Sequence, residues 1–173
     1  MDIGNIYWLD QTSINCGMTR LYGRAFKNER INDYAPDVRF ERTSMMGAPG
    51  VKGTIAPLAY KGTLNGEFFE VYVKKVLAPA MKEGDTLILD NLSPHKVKDA
   101  LKPLIDKGVK VIFLPVYSPD FNPIELAWSK IKAFLRKVKA RNFDDLFSAL
   151  GKALDTILYS DIRGWIMHCG YRL

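Results

Sequence analysis

Three acidic residues stand where the local pattern would hold them firmly. Asp10 ends the short apolar run Ile6-Tyr-Trp-Leu9, and Asp90 ends the run Thr86-Leu-Ile-Leu89. Glu125 follows Asn122 and Pro123 at the head of an amphipathic stretch. Carboxylates gathered in one place disfavour each other's ionisation, and a divalent cation relieves that repulsion. A donor set of oxygens with open positions suits Mg²⁺, which keeps several waters and is completed by substrate phosphate. Two such ions, roughly 3.5–4 Å apart, can activate an attacking oxygen and stabilise a leaving one in phosphoryl transfer. Each acid also has a purely structural explanation. Asp10 and Asp90 could cap turns after strands, with Asn91 beside Asp90 favouring a turn. Glu125 could close a capping box on the Asn122 backbone.

The elements that must position these acids are readable in outline. Ile6–Leu9 and Thr86–Asp90 have the continuous apolar character of buried strands, and Lys110-Val-Ile-Phe-Leu114 is the next strand. Residues 11–41 are irregular, with Thr19-Arg-Leu-Tyr22 either an edge strand or an extended arm. Residues 42–48 and 53–60 pattern as a hairpin turning at Pro49-Gly50, with Pro57 unsuited to a central strand. Asn65 caps a helix to about Leu77. Ser93-Pro94 opens another from His95 to about Lys107, which Pro103 should kink or restart. Asn122 and Pro123 start a helix reaching about Lys139. Its apolar stripe is Ile124, Ala127, Trp128, Ile131, Leu135 and Val138. Asn142 caps a helix to about Leu158, and a last helix runs from Ser160 toward Cys169. A hairpin followed by βαβ units predicts an α/β fold: a mixed five-stranded sheet with helices on both faces. In such sheets ligand sites lie beyond the carboxyl ends of strands, so Asp10, Asp90 and Glu125 are expected to share one crevice.

The totals agree with a single globular domain. The chain has 173 residues, 47% of them hydrophobic and 25% charged, enough for a core without staples. A net charge of +6 leans toward a polyanionic partner. The two cysteines, Cys16 and Cys169, suggest neither a disulfide framework nor a zinc cluster, which fits a reducing intracellular setting. The N-terminus is no signal peptide, and no apolar run reaches the ~20 residues of a membrane span.

The stretch Tyr117-Ser-Pro-Asp-Phe-Asn-Pro-Ile-Glu125, with Trp128, Lys130, Leu89-Asp90-Asn91 and His95, resembles the catalytic half of mariner-type transposases. It resembles their bacterial insertion-sequence relatives more narrowly. Asp90 and Glu125 are separated by 34 residues, the spacing of that group's second and third acids. Tyr7-Trp-Leu-Asp-Gln-Thr12 resembles the segment carrying the first acid, and Gly62-Thr-Leu-Asn-Gly66 the opening of the first helix. The resemblance implies an RNase H-like (retroviral-integrase-like) fold with Asp10, Asp90 and Glu125 as the metal-binding catalytic triad. It implies two Mg²⁺ or Mn²⁺ ions, double-stranded DNA as substrate, strand transfer, and a homodimer on paired element ends. A cytoplasmic, nucleoid-associated location in a prokaryote follows. Asn91, His95 and Asn122 are expected to position substrate or support the acids. The helix-turn-helix modules that precede the catalytic domain in that family are absent from this sequence. The chain is therefore expected to be one catalytic domain, a fragment or one half of a split or decayed element.

Lys132 and Arg136 share a polar stripe with Glu125, roughly 10 and 16 Å along the helix axis from it. They are candidates to track a DNA backbone, against the simpler role of cations favoured by a helix C-terminus. For Lys137, Lys139 and Arg141 the simpler role is expected. Two rival functions remain on sequence alone: a nuclease that cleaves without joining strands, and a remnant that only binds DNA.

Overall fold

The computed structural model describes residues 3–37, 40–97, 99–116 and 118–172. Tyr117 of the Pro-rich loop and Lys98 of the segment after His95 lie outside the described residues. Five strands form one mixed sheet in the order β3-β2-β1-β4-β5. They are β1 (Ile6–Ile14), β2 (Thr43–Gly50), β3 (Gly53–Lys61), β4 (Thr86–Leu89) and β5 (Lys110–Phe113). The β1–β2–β3 part is antiparallel, whereas β4 pairs parallel to both β1 and β5.

Period-2 alternation divides the core between the two faces of the sheet. Ile6 and Trp8 of β1 pack with Ile88 of β4 on one face. Tyr7 and Leu9 pack with Leu87 and Leu89 on the other. The first face is covered by α4 (Ile124–Val138), α5 (Phe143–Asp155) and α6 (Tyr159–His168). The second is covered by α1 (Gly66–Tyr72), which runs on through a π-turn (Val73–Leu77) into α2 (Ala78–Ala80), and by the short α3 (Lys102–Ile105). Asn65 and Asn142 cap α1 and α5 through their side chains, as their positions predict. Among the described residues no helix is long and apolar enough to cross a membrane.

Several boundaries differ from the sequence reading. β1 does not stop at Asp10 but continues to Ile14, because its antiparallel pairing with β2 outlasts the parallel pairing with β4, which ends at Leu9. The hairpin turns at Val51-Lys52, with Pro49 and Gly50 still inside β2. Gly50 is needed there, since a Cβ would lie 2.5 Å from the Ile6 carbonyl oxygen. Pro57 does sit on an edge strand, beside a bulge where Ala56 adopts a left-handed φ of 53°.

The helix expected from His95 to Lys107 is not continuous. A 3-10 turn (Ser93–Lys96) ends in extended backbone at Val97, and α3 begins afresh with Pro103 in its first turn. Residues 19–22 form no strand and lie on the surface. On α4 the apolar stripe is buried except for Val138, which is 46% exposed at the last turn.

Candidate active site

Asp10 follows Ile6 and Trp8 on the same side of β1, so the alternation that buries them turns its carboxylate toward α4. The parallel pairing of β1 with β4 ends at Leu9 opposite Leu89, and Asp10 and Asp90 come directly after on neighbouring chains. Asp90 is the residue directly after β4, where the chain leaves the sheet. Glu125 occupies the first turn of α4. All three line one cavity of about 370 Å³, bounded also by Asn91, Ser93, Leu114 and Asn122. The crevice expected beyond the strand ends is therefore present, and the three acids reach it from three different elements.

Asp10 is only 6% exposed. Its Oδ1 accepts the Gln11 backbone N–H at 2.7 Å, and its Oδ2 accepts the Trp128 indole N–H at 3.3 Å. Burial pushes its pKa up to about 7, and the charges of Asp90 and Glu125 push in the same direction. The two hydrogen bonds pull the other way without offsetting the burial. This indole partner was not evident in the sequence, where Trp128 read as a member of the apolar stripe and of the motif, with no role for its N–H.

Asp90 is held by two donors. His95 Nδ1 lies 2.6 Å from Asp90 Oδ1, and the Leu92 N–H reaches the same oxygen at 3.2 Å. An ionised carboxylate only accepts, so His95 presents its Nδ1–H to Asp90. The imidazole itself is fully buried, tilted against the Phe69 ring at 4.7 Å, and lies behind Asp90 rather than in the cavity wall. It orients the acid and does not face the cavity. Asn91 does line the cavity, and its Nδ2 donates to the Leu114 carbonyl, tying the end of β4 to the end of β5.

The segment before Glu125 departs from the expected cap. A 3-10 turn (Pro119–Phe121) takes the Asn122 N–H onto the Pro119 carbonyl at 2.9 Å. The Asn122 side chain makes no capping bond; it is 5% exposed, and among the described residues its Oδ1 has no partner. With the Asn122 N–H already engaged, no capping box forms, and among the described residues the Glu125 carboxylate accepts no hydrogen bond. The rigid turn instead sets Glu125 at the cavity with its oxygens uncommitted.

Lys132 and Arg136 are half-buried on α4 and lie outside the cavity wall. Lys139 and Arg141 have structural partners. Lys139 Nζ bonds both Asp33 oxygens, at 2.7 and 2.5 Å, and Arg141 donates to the carbonyls of Cys16 and Met18.

Among the described residues no three acidic, His or Cys side chains stand within a single coordination sphere. The donor set still fits a hard divalent cation. It is all oxygen, it opens on a cavity, and burial first, then the charges of Asp90 and Glu125, disfavour an ionised Asp10 that a cation would stabilise.

The sequence matches the family described as DDE superfamily endonuclease over residues 5–147. No curated protein matches it. Among solved structures, the fold is similar to that of the Mos1 transposase paired-end complex with left transposon end. That match has a TM-score of 0.75 at 14% identity and covers 97% of this chain and 53% of that one. The mariner Mos1 paired end complex with Mg matches with a TM-score of 0.73 at 14% identity, covering 98% and 54%. The catalytic domain of Mos1 mariner transposase matches at 0.67 with 12% identity, covering 97% and 80%. This chain thus spans about half the length of the transposases in the complexes, and what it shares with them is the RNase H-like fold. With the family match extending from before Asp10 to beyond Glu125, this chain belongs to the DDE superfamily of endonucleases.

Proposed function

We propose that this chain is the catalytic domain of a mariner-type DNA transposase of the insertion-sequence kind, with Asp10, Asp90 and Glu125 as its catalytic acids. It hydrolyses a phosphodiester at an element end and joins the resulting 3′-OH to target DNA. The observation that carries this reading is the meeting of those three carboxylates on one cavity, in a member of an endonuclease family. Support also comes from the similar transposases, whose complexes hold a transposon end in one case and Mg or Mn in others.

The protein's own groups set up the site before any substrate arrives. Trp128 and the Gln11 amide fix the Asp10 carboxylate, and His95 fixes that of Asp90. The Pro119–Phe121 turn presents Glu125 with its oxygens free. Asn91 and Asn122, both in the cavity wall, are placed to meet the substrate, and the unpaired Asn122 Oδ1 is an acceptor for it. Two divalent ions, Mg²⁺ or Mn²⁺, held by the three acids would supply Lewis-acid activation of the attacking oxygen and stabilisation of the leaving one. Lys132 and Arg136 track the DNA backbone along α4, and two copies of the chain hold two element ends. The location that goes with this chemistry is cytoplasmic and nucleoid-associated.

The decisive experiment is cleavage of an element-end duplex with and without Mg²⁺ or Mn²⁺, beside Asp90→Asn. Metal-dependent nicking that the variant lacks is expected, and joining of a pre-cleaved 3′-OH end separates a transposase from a simple nuclease. Equal cutting by the variant, or cutting indifferent to metal, would refute the assignment.

A further inference from the structure

The turn that presents Glu125 borders two cavities. Ser118, Pro119 and Asn122 line the acid cavity. Pro119, Asp120 and Asn122 also line a second cavity of about 490 Å³, bounded on α6 by His168 and Cys169. None of Pro119, Asp120 and Phe121 is buried, and the Phe121 ring is 51% exposed. The turn's own backbone bonds, from the Phe121 N–H to Ser118 and from the Asn122 N–H to Pro119, close within it. Core packing therefore does little to hold this segment, and a shift of about 1 Å at a catalytic group can cost about a hundredfold in rate.

Among the described residues, the hydrogen bond that reaches this turn from elsewhere in the fold comes from Tyr171. Its hydroxyl donates to the Phe121 carbonyl at 2.8 Å. The same oxygen accepts the Trp8 indole N–H at 3.4 Å, and the two rings meet edge to face at 5.3 Å. Trp8 is 1% exposed and stands two residues before Asp10, on the same side of β1. One hydroxyl thus links the strand that carries Asp10 to the turn that carries Glu125.

The end of α6 is built to keep Tyr171 in that place. Gly170 adopts a φ of 84°, its N–H bonds the Met167 carbonyl, and the Tyr171 N–H bonds that of Ile166 at 3.2 Å. These are the two bonds of a Schellman cap, which reverses the chain and fixes the residue after the glycine. α6 is itself seated by Ile162 and Ile166 in the core and by Lys130 of α4, whose Nζ meets Asp161 at 2.5 Å. The helix that carries Glu125 therefore also seats the helix that returns Tyr171 to the turn. Tyr171 lies beyond residue 147, where the family match ends.

We propose that Tyr171 is a positioning residue for Glu125. Its hydroxyl holds the 118–122 turn against Trp8, so that Glu125 faces Asp10 and Asp90 before substrate arrives. This rests on the reading of those three residues as the catalytic acids.

The test is Tyr171→Phe in the intact chain, which keeps the ring and its edge contact and removes the hydroxyl. The Asn122 and Glu125 amides should exchange about two- to tenfold faster, the factor that one neutral hydrogen bond contributes. The Mg²⁺ concentration giving half of the rise in thermal midpoint at about pH 8 should increase by a similar factor. Metal-dependent cleavage of an element-end duplex should lose about two- to tenfold in kcat at an unchanged KM. Wild-type exchange at those two amides overturns the proposal. So does a lowered midpoint beside an unchanged Mg²⁺ requirement and an unchanged kcat, since Tyr171 would then only stabilise the fold. A wild type that cuts no better than Asp90→Asn sinks the catalytic reading alone, because exchange and the Mg²⁺ requirement decide on Tyr171 without cleavage.

Discussion

The Trp128 indole reaches Asp10 from the same helix turn that begins with Glu125, so one side chain joins the strand acid to the helix acid. Replacing Trp128 by Phe keeps most of the ring packing and removes the N–H, leaving a carboxylate oxygen at a 6% exposed residue without that donor. A hydrogen bond to a charged group contributes ~1.5–3 kcal/mol, so metal-dependent cleavage should fall by roughly ten- to a hundredfold. The thermal midpoint should move little by comparison. Undiminished kcat/KM in Trp128→Phe would mean that the indole only fills space. Helical periodicity placed Trp128 on the buried stripe, but it carries no information on what an indole N–H meets across a sheet. The same limit explains Asn122. Its place before Pro123 and Glu125 reads as a cap, whereas the preceding 3-10 turn takes its N–H and rotates its side chain inward.

At the scale of elements, strands were the most legible because a buried parallel strand needs an unbroken apolar run, and the fully buried β4 has one; the edge strand β5 carries a similar run but is only partly covered. The segment after His95 misled because its helix-like pattern spans two prolines, and Val97 leaves helical geometry between them. The shared crevice followed from where the runs ended, even though β1 itself proved longer. The corner between α4 and α5 was not legible, since its role depends on a loop more than a hundred residues away in sequence. Lys139 closes α4 in a left-handed conformation at φ 58°, which costs a non-glycine residue about 1 kcal/mol. It holds Asp33 from that position, and an exposed ion pair is worth about 0–1 kcal/mol. Lys139→Gly should therefore leave global stability equal or higher, by up to a few degrees in midpoint, while loosening the β1–β2 connection around Asp33. Amide exchange resolved over residues 30–36 checks this: faster exchange there beside an unchanged or raised midpoint is expected. A fall in midpoint would show that the bridge, and not the helix end, dominates.

For the molecule as a whole, the acid cluster sets a conflict between stability and function that a cation resolves. Asp10 titrates near 7 in the folded chain and near 3.8 when freely solvated, so between those values the folded state binds more protons than the unfolded one. Stability must then fall as pH rises through that window, and level off on either side of it. The full span amounts to a loss on the order of 4 kcal/mol. Asp33 and Asp161 are shifted downward by Lys139 and Lys130 and give the opposite slope at lower pH. The clean quantity is therefore the difference between wild type and Asp10→Asn, in which those contributions cancel. Without divalent ions, wild type should lose stability relative to Asp10→Asn between about pH 4 and pH 7. At about pH 8, Mg²⁺ should raise the midpoint of wild type by binding the ionised acids, and raise that of Asp10→Asn much less. Denaturant melts in EDTA and in Mg²⁺ across this range measure both effects. A difference that stays flat as pH rises would show that Asp10 is ionised at no cost, a wild type that gains on the variant would show that the fold favours its ionised form, and an equal Mg²⁺ response in both would place the cation elsewhere.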